Sequence, residues 1–150
     1  MNKSKPTLYL VLFRCDREAM VKVGALGDVS ISPGYYVYAG SAKRNLTARL
    51  KRHRKLQKPF RWHIDYLRPH LVWVRSFQLT EHEGECALVR AFCLVTGATA
   101  VQKGLGSSDC RCEAHVLKLP QKEPAEWDPA GFSERWNAAG TAAFGSNHHD

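Results

Sequence analysis

The run Thr7-Leu-Tyr-Leu-Val-Leu-Phe13 constrains this chain more than any other. Its apolar residues alternate across two faces, which predicts a strand carrying Thr7, Tyr9, Val11 and Phe13 on one side. A second run, Tyr35-Tyr-Val-Tyr-Ala-Gly40, follows Pro33-Gly34 and reads the same way, with Tyr36, Tyr38 and Gly40 sharing a face. Between them, Ala19–Val23 predicts a weaker strand, and a glycine-punctuated turn covers Gly24 to Asp28.

Helical signals take over after Gly40. Asn45 is a good N-cap, and apolar and basic residues recur at spacings of three and four. These predict a helix over 45–57 that ends before Pro59. Arg61–Leu67 reads as a short helical turn. Leu71–Leu79 reads as a strand with Leu71, Trp73, Phe77 and Leu79 together. Thr80-Glu-His-Glu83 has the form of a capping box opening a helix over 81–95, which Gly97 stops. A short strand near Thr99–Val101 and a Gly104–His115 loop complete the compact part. The expected class is α+β: a small, mostly antiparallel sheet of three core strands plus additions, flanked by helices.

Two regions are expected. Residues 1–119 form the domain. Residues 120–150 form a Pro-, Gly- and Ala-rich extension that docks in part through Trp127, Phe132 and Trp136 and is irregular from about residue 138.

Charge is distributed unevenly. Residues 1–80 hold 16 Lys and Arg against 4 Asp and Glu, whereas residues 81–150 hold 6 against 10. Residues 43–61 alone carry nine basic side chains and no acidic one. Such a run is either a solvated helix face or the footprint of a polyanion bound by counterion release. The five cysteines are an odd number, the N-terminal residues lack a signal-peptide pattern, and no apolar run approaches membrane-spanning length. The expectation is a cytoplasmic protein with reduced thiols.

Tyr36 and Tyr38 beside a glycine, followed by a basic helix, resemble the core of the GIY-YIG nuclease family. Tyr38-Ala-Gly40 stands where that family has its second motif, Arg49 where it has a helix arginine, His53 where many members carry a histidine, and Glu85 where it places a metal-binding glutamate. Gly34-Tyr35-Tyr36 looks like the first motif, but two residues cannot supply a separate strand, so the first tyrosine is assigned to Tyr9. The long gap from Tyr9 to Tyr38 then implies an inserted hairpin over roughly residues 14–32. Together with Trp62-His-Ile-Asp-Tyr66, Glu85-Cys86 and Gly106-Ser-Ser-Asp-Cys-Arg-Cys112 with His115, the set is similar to a stand-alone branch whose members occur alone or joined to endonuclease III-type repair enzymes.

The resemblance implies a divalent-metal-dependent endonuclease acting on DNA, RNA not being excluded, with other DNA-repair proteins as possible company. A non-catalytic nucleic-acid adaptor is the alternative. The catalytic set is Tyr9, Tyr38, Arg49, His53 and Glu85, with Glu85 holding one Mg²⁺ or Mn²⁺, and Lys43, Arg44, Lys51, Arg52 and Lys55 facing nucleic acid. The chemistry is consistent with that list. Phosphodiester hydrolysis needs an activated water, charge stabilisation at phosphate and usually a polarising metal. A single carboxylate favours one hard cation that keeps its waters. The other reading of Glu85 is a buried salt bridge, for instance to Arg49. Cys110, Cys112 and His115, with Cys86 as a fourth ligand, suggest Zn²⁺; the alternative is a loop whose Asp109 and serines shape the rim.

Overall fold

The computed structural model describes residues 6–80, 83–105, 115–120 and 129–145. Two long strands form its centre. Strand β1 (Pro6–Cys15) pairs antiparallel with β4 (Gly34–Ser41), and on its other side with β5 (Val72–Thr80). Strand β7 (Val116–Lys118) extends the sheet beyond β4, and β6 (Thr99–Ala100) closes it, giving the order β5-β1-β4-β7-β6. The expected hairpin is present as β2 (Ala19–Val23) and β3 (Gly27–Ile31), paired as a separate ribbon. The class is α+β, as the periodicity predicts.

Period-2 alternation separates two cores. Tyr9, Val11, Phe13, Tyr36 and Tyr38 face one way, against the hairpin, α1 (Leu46–Arg54) and α2 (His63–Leu67). Leu8, Leu10, Leu12, Val37 and Ala39 face the other way, against α3 (Glu85–Thr96) and α4 (Pro129–Ala139). Covering both faces of one sheet explains why β1 is buried almost end to end.

Several boundaries differ from the sequence expectation for local physical reasons. Asn45 caps α1 by accepting from the Ala48 amide, but the helix ends at Arg54. There the Lys58 ammonium donates to the carbonyls of Arg52 and His53, satisfying acceptors that a longer helix would have used. In β5 the register against β1 shifts between Leu12 and Phe13, a bulge at Val74. It moves Leu71 and Trp73 onto the α1 side while Phe77 and Leu79 stay on the α3 side. The four residues therefore do not share a face.

Thr80 ends β5 rather than opening a helix. Its amide and hydroxyl donate to Asn137, and α3 begins at Glu85 after Gly84. Gly97, in the left-handed region, stops α3 as expected. Past residue 138, where disorder was expected, α4 runs to Ala139 and a turn leads into α5 (Ala142–Gly145). Phe132 and Trp136 are buried against the α3-side core, the Trp136 indole donating to the Thr80 carbonyl. Trp127 lies outside the described residues. No described helix is long and apolar enough to cross a membrane.

Candidate active site

The pairing of β1 with β4 places Tyr9 opposite Gly40 and Val11 opposite Tyr38, so the two tyrosines lie diagonally on one face. Their ring centroids are 6.2 Å apart. Tyr36 shares that face, but its hydroxyl is tied to the Ser32 backbone, donating to the carbonyl and accepting from the amide. The missing Cβ at Gly40 leaves the space that the Tyr9 phenol fills.

Helix α1 delivers the next two groups on successive turns. His53 is buried between Tyr9, Tyr38 and Trp62, with ring centroids 5.3–5.6 Å away. Its Nε2 stands 2.7 Å from the Tyr9 hydroxyl. Its Nδ1 has no hydrogen-bond partner among the described residues. One turn earlier, Arg49 donates to the Ser41 carbonyl at 3.0 Å, its guanidinium 4.7 Å from the Trp62 ring centroid.

Glu85 enters from the first turn of α3. The Ser41 hydroxyl donates to its Oε1 at 2.8 Å, and His115 Nδ1 pairs with its Oε2. Ser41, the residue after Gly40, therefore connects the arginine and the carboxylate. The side chain that meets the second Glu85 oxygen is His115 rather than Arg49.

Burial governs the protonation of this cluster. It pushes the Tyr9 hydroxyl up to about 12, although the Arg49 charge and the Tyr38 hydroxyl pull the other way. Tyr38 is raised well above the ordinary phenol range, first by burial and then by the charges of Tyr9, Glu85 and Asp65. Burial pushes His53 down to about 3; Asp65 opposes this, whereas Lys58, Arg49 and Arg52 reinforce it. Near neutral pH the cluster is two protonated phenols beside a neutral imidazole.

The five residues Tyr9, Tyr38, Arg49, His53 and Glu85 are thus brought to one place. Of the basic residues, Lys43, Arg44, Lys51 and Lys55 are exposed. Arg52 is committed elsewhere: it grips the fully buried Asp65 with two hydrogen bonds of 3.0 and 3.1 Å, donates to the Pro59 carbonyl and stacks on Trp62. It therefore holds a buried carboxylate in place, a structural role that its position in a basic run does not announce. Asp65 also accepts from the amides of Arg61 and Trp62, fixing the start of α2. The sequence pattern of Trp62–Tyr66 gave no sign of this ion pair.

Cys110 and Cys112 lie outside the described residues. Cys86 is disulfide-bonded, which differs from the expectation of reduced thiols. His115 packs on Glu85, with Nε2 3.8 Å from Cys86 Sγ. Among the described residues no group of three or more His, Cys, Asp or Glu side chains is arranged to hold a metal.

A family model described as Domain of unknown function DUF123 matches residues 8–136, which include every member of this cluster. No curated protein and no solved structure matches the chain.

Proposed function

The chain belongs to the family described as Domain of unknown function DUF123, and we propose that it is a GIY-YIG-type endonuclease that hydrolyses phosphodiester bonds in DNA with one divalent metal ion. The observation that carries the reading is the meeting at Ser41. Its carbonyl receives Arg49 and its hydroxyl holds Glu85, so a phosphate-binding cation and a carboxylate flank one residue beside the Tyr9–His53 pair.

The residues fit one Mg²⁺ or Mn²⁺. Among the described residues Ser41 meets one Glu85 oxygen and His115 the other, which leaves lone pairs, and a quarter of the side chain (25%) stays exposed. Glu85 would hold the ion, which supplies charge to polarise the scissile phosphate and acidify water. Arg49 would bind a non-bridging phosphate oxygen, its planar fork already aimed by Ser41 and Trp62. Tyr9 would accept the proton of the attacking water while passing its own to His53 Nε2, which avoids forming a phenolate in a buried site. Tyr38 would orient that water. Likeness to domains joined to endonuclease III-type enzymes supports DNA repair as the setting.

The test is cleavage of supercoiled, nicked, branched and single-stranded DNA with Mg²⁺, with Mn²⁺ and with chelator. Metal-dependent products from at least one substrate are expected; none from any would reject the enzyme. One observation favours the adaptor reading: Glu85 already has Ser41 and His115 as partners, so a structural role alone accounts for its charge. An adaptor would bind DNA and leave it intact.

A further inference from the structure

The segment joining α1 to α2 has no regular structure, yet it is tied at several points. Lys58 donates to the end of α1, the Pro59 carbonyl accepts from Arg52, and the Arg61 amide donates to Asp65. On this braced stem Phe60 remains 45% exposed, its ring set edge to face against Tyr66 with centroids 4.8 Å apart. Leu56, at the other end of the same segment, is 56% exposed. Burial does not explain Phe60, since a fixed loop presents a large apolar ring to solvent.

Its surroundings indicate the occupant. Arg52, which grips Pro59, borders a concavity of about 660 Å³ together with Ala48, Lys51, Arg54 and Lys55; its guanidinium is taken up by Asp65 and Pro59, so the exposed cations there are Lys51, Arg54 and Lys55. An exposed aromatic ring on a segment that follows these exposed cations in the chain suits a ligand with a flat π face and a polyanionic backbone. We propose that Phe60 is a stacking platform for an unpaired nucleobase, so that the chain selects single-stranded or distorted DNA over regular duplex. A duplex keeps its bases stacked on one another and offers this ring no face. A strand with one flipped or unpaired base offers a face while its phosphates follow the basic concavity. The bracing pre-pays the ordering of the loop, so little of the stacking is spent on fixing it.

The proposal deepens the nucleic-acid reading above and rests on it. Binding is measured by fluorescence anisotropy in chelator, where cleavage cannot intervene. The probes are a labelled oligonucleotide, its full duplex, and the same duplex with one unpaired base. Wild type is expected to prefer the first and third. Phe60→Ala should weaken those two about fivefold or more and leave the duplex unchanged, the range that base stacking on an aromatic side chain supports. Phe60→Trp should retain the preference. Circular dichroism should show both variants folded, as expected for an exposed side chain. Equal weakening on all three probes, or none on any, would overturn the stacking role while leaving DNA binding intact. Failure of wild type to bind any probe would overturn the nucleic-acid reading as well.

Discussion

Tyr9 and Gly40 face each other across β1 and β4, and the phenol of Tyr9 occupies the space a Cβ at position 40 would need. The contact is steric rather than conformational, because Gly40 does not adopt a positive φ. The glycine exists so that a tyrosine can lie flat over the neighbouring strand and bring its hydroxyl to His53. Gly40→Ala should therefore cost about 1–3 kcal/mol by overpacking, seen as a lower midpoint in urea denaturation. The same substitution in a Tyr9→Ala background should cost much less. Equal costs in the two backgrounds would show that the glycine serves some other purpose.

Glu85→Gln keeps a side chain of the same shape, able to meet Ser41 and His115, and removes the charge. Under the nuclease reading it should abolish metal-dependent cleavage and leave DNA affinity equal or tighter, since one repulsive carboxylate is gone from a site that faces phosphate. Single-turnover cleavage and a binding isotherm measure the two halves. Unchanged cleavage by the variant would remove Glu85 from the metal site.

Strands and their faces were legible in the sequence wherever alternation was long enough to count, as in Thr7–Phe13 and Tyr35–Gly40. Strand β7 was not, because three residues carry no period. The β5 bulge was not, because one extra residue reverses every later face without changing composition. The site residues were recognisable as types in order along the chain. Ser41 as the junction of Arg49 and Glu85, and His115 as a partner of Glu85, were not recognisable, because only tertiary packing brings together residues so distant in sequence. The pairing of Arg52 with Asp65 was hidden for a related reason. In a run of nine basic residues, nothing in the sequence marks the one that a carboxylate thirteen positions later will claim.

Stability should depend on His53 in a narrow acid window. An unfolded histidine titrates near 6.5, while burial holds the folded one down at about 3. Below about pH 6.5 the unfolded chain therefore binds a proton that the native state refuses, so stability is intact above that pH and declines as pH falls toward 3. The slope approaches about 1.4 kcal/mol per pH unit for one group. Asp65, lowered from 3.8, acts only below the ordinary carboxylate range. Unfolding free energies measured from pH 7 to pH 4 should slope downward in wild type and flatten in His53→Gln. Parallel curves for the two proteins would mean that His53 is protonated in the native state.

The basic helix carries two kinds of cation, and charge changes should separate them. Lys51 and Lys55 project from α1 into solvent, whereas Arg52, one position beyond Lys51, turns inward to a carboxylate with no exposure. Lys51→Glu with Lys55→Glu should leave the melting temperature nearly unchanged, since surface ion pairs contribute little. The double variant should weaken binding to all DNA sequences alike. It should also flatten the dependence of log affinity on log salt by about two lost phosphate contacts, close to 0.9 in slope for each. Arg52→Ala should do the reverse. Removing it deprives Asp65 of its bidentate partner, leaving Lys58 at 3.6 Å and two backbone amides to hold a buried charge. Breaking such a pair costs about 3–5 kcal/mol where no other donor remains, so with these three still present a smaller loss is expected, visible as a lower melting temperature. The salt slope of the folded Arg52→Ala protein should match wild type. If Arg52→Ala melted like wild type and lost salt dependence, Arg52 would belong to the nucleic-acid face after all, and the ion pair with Asp65 would be incidental.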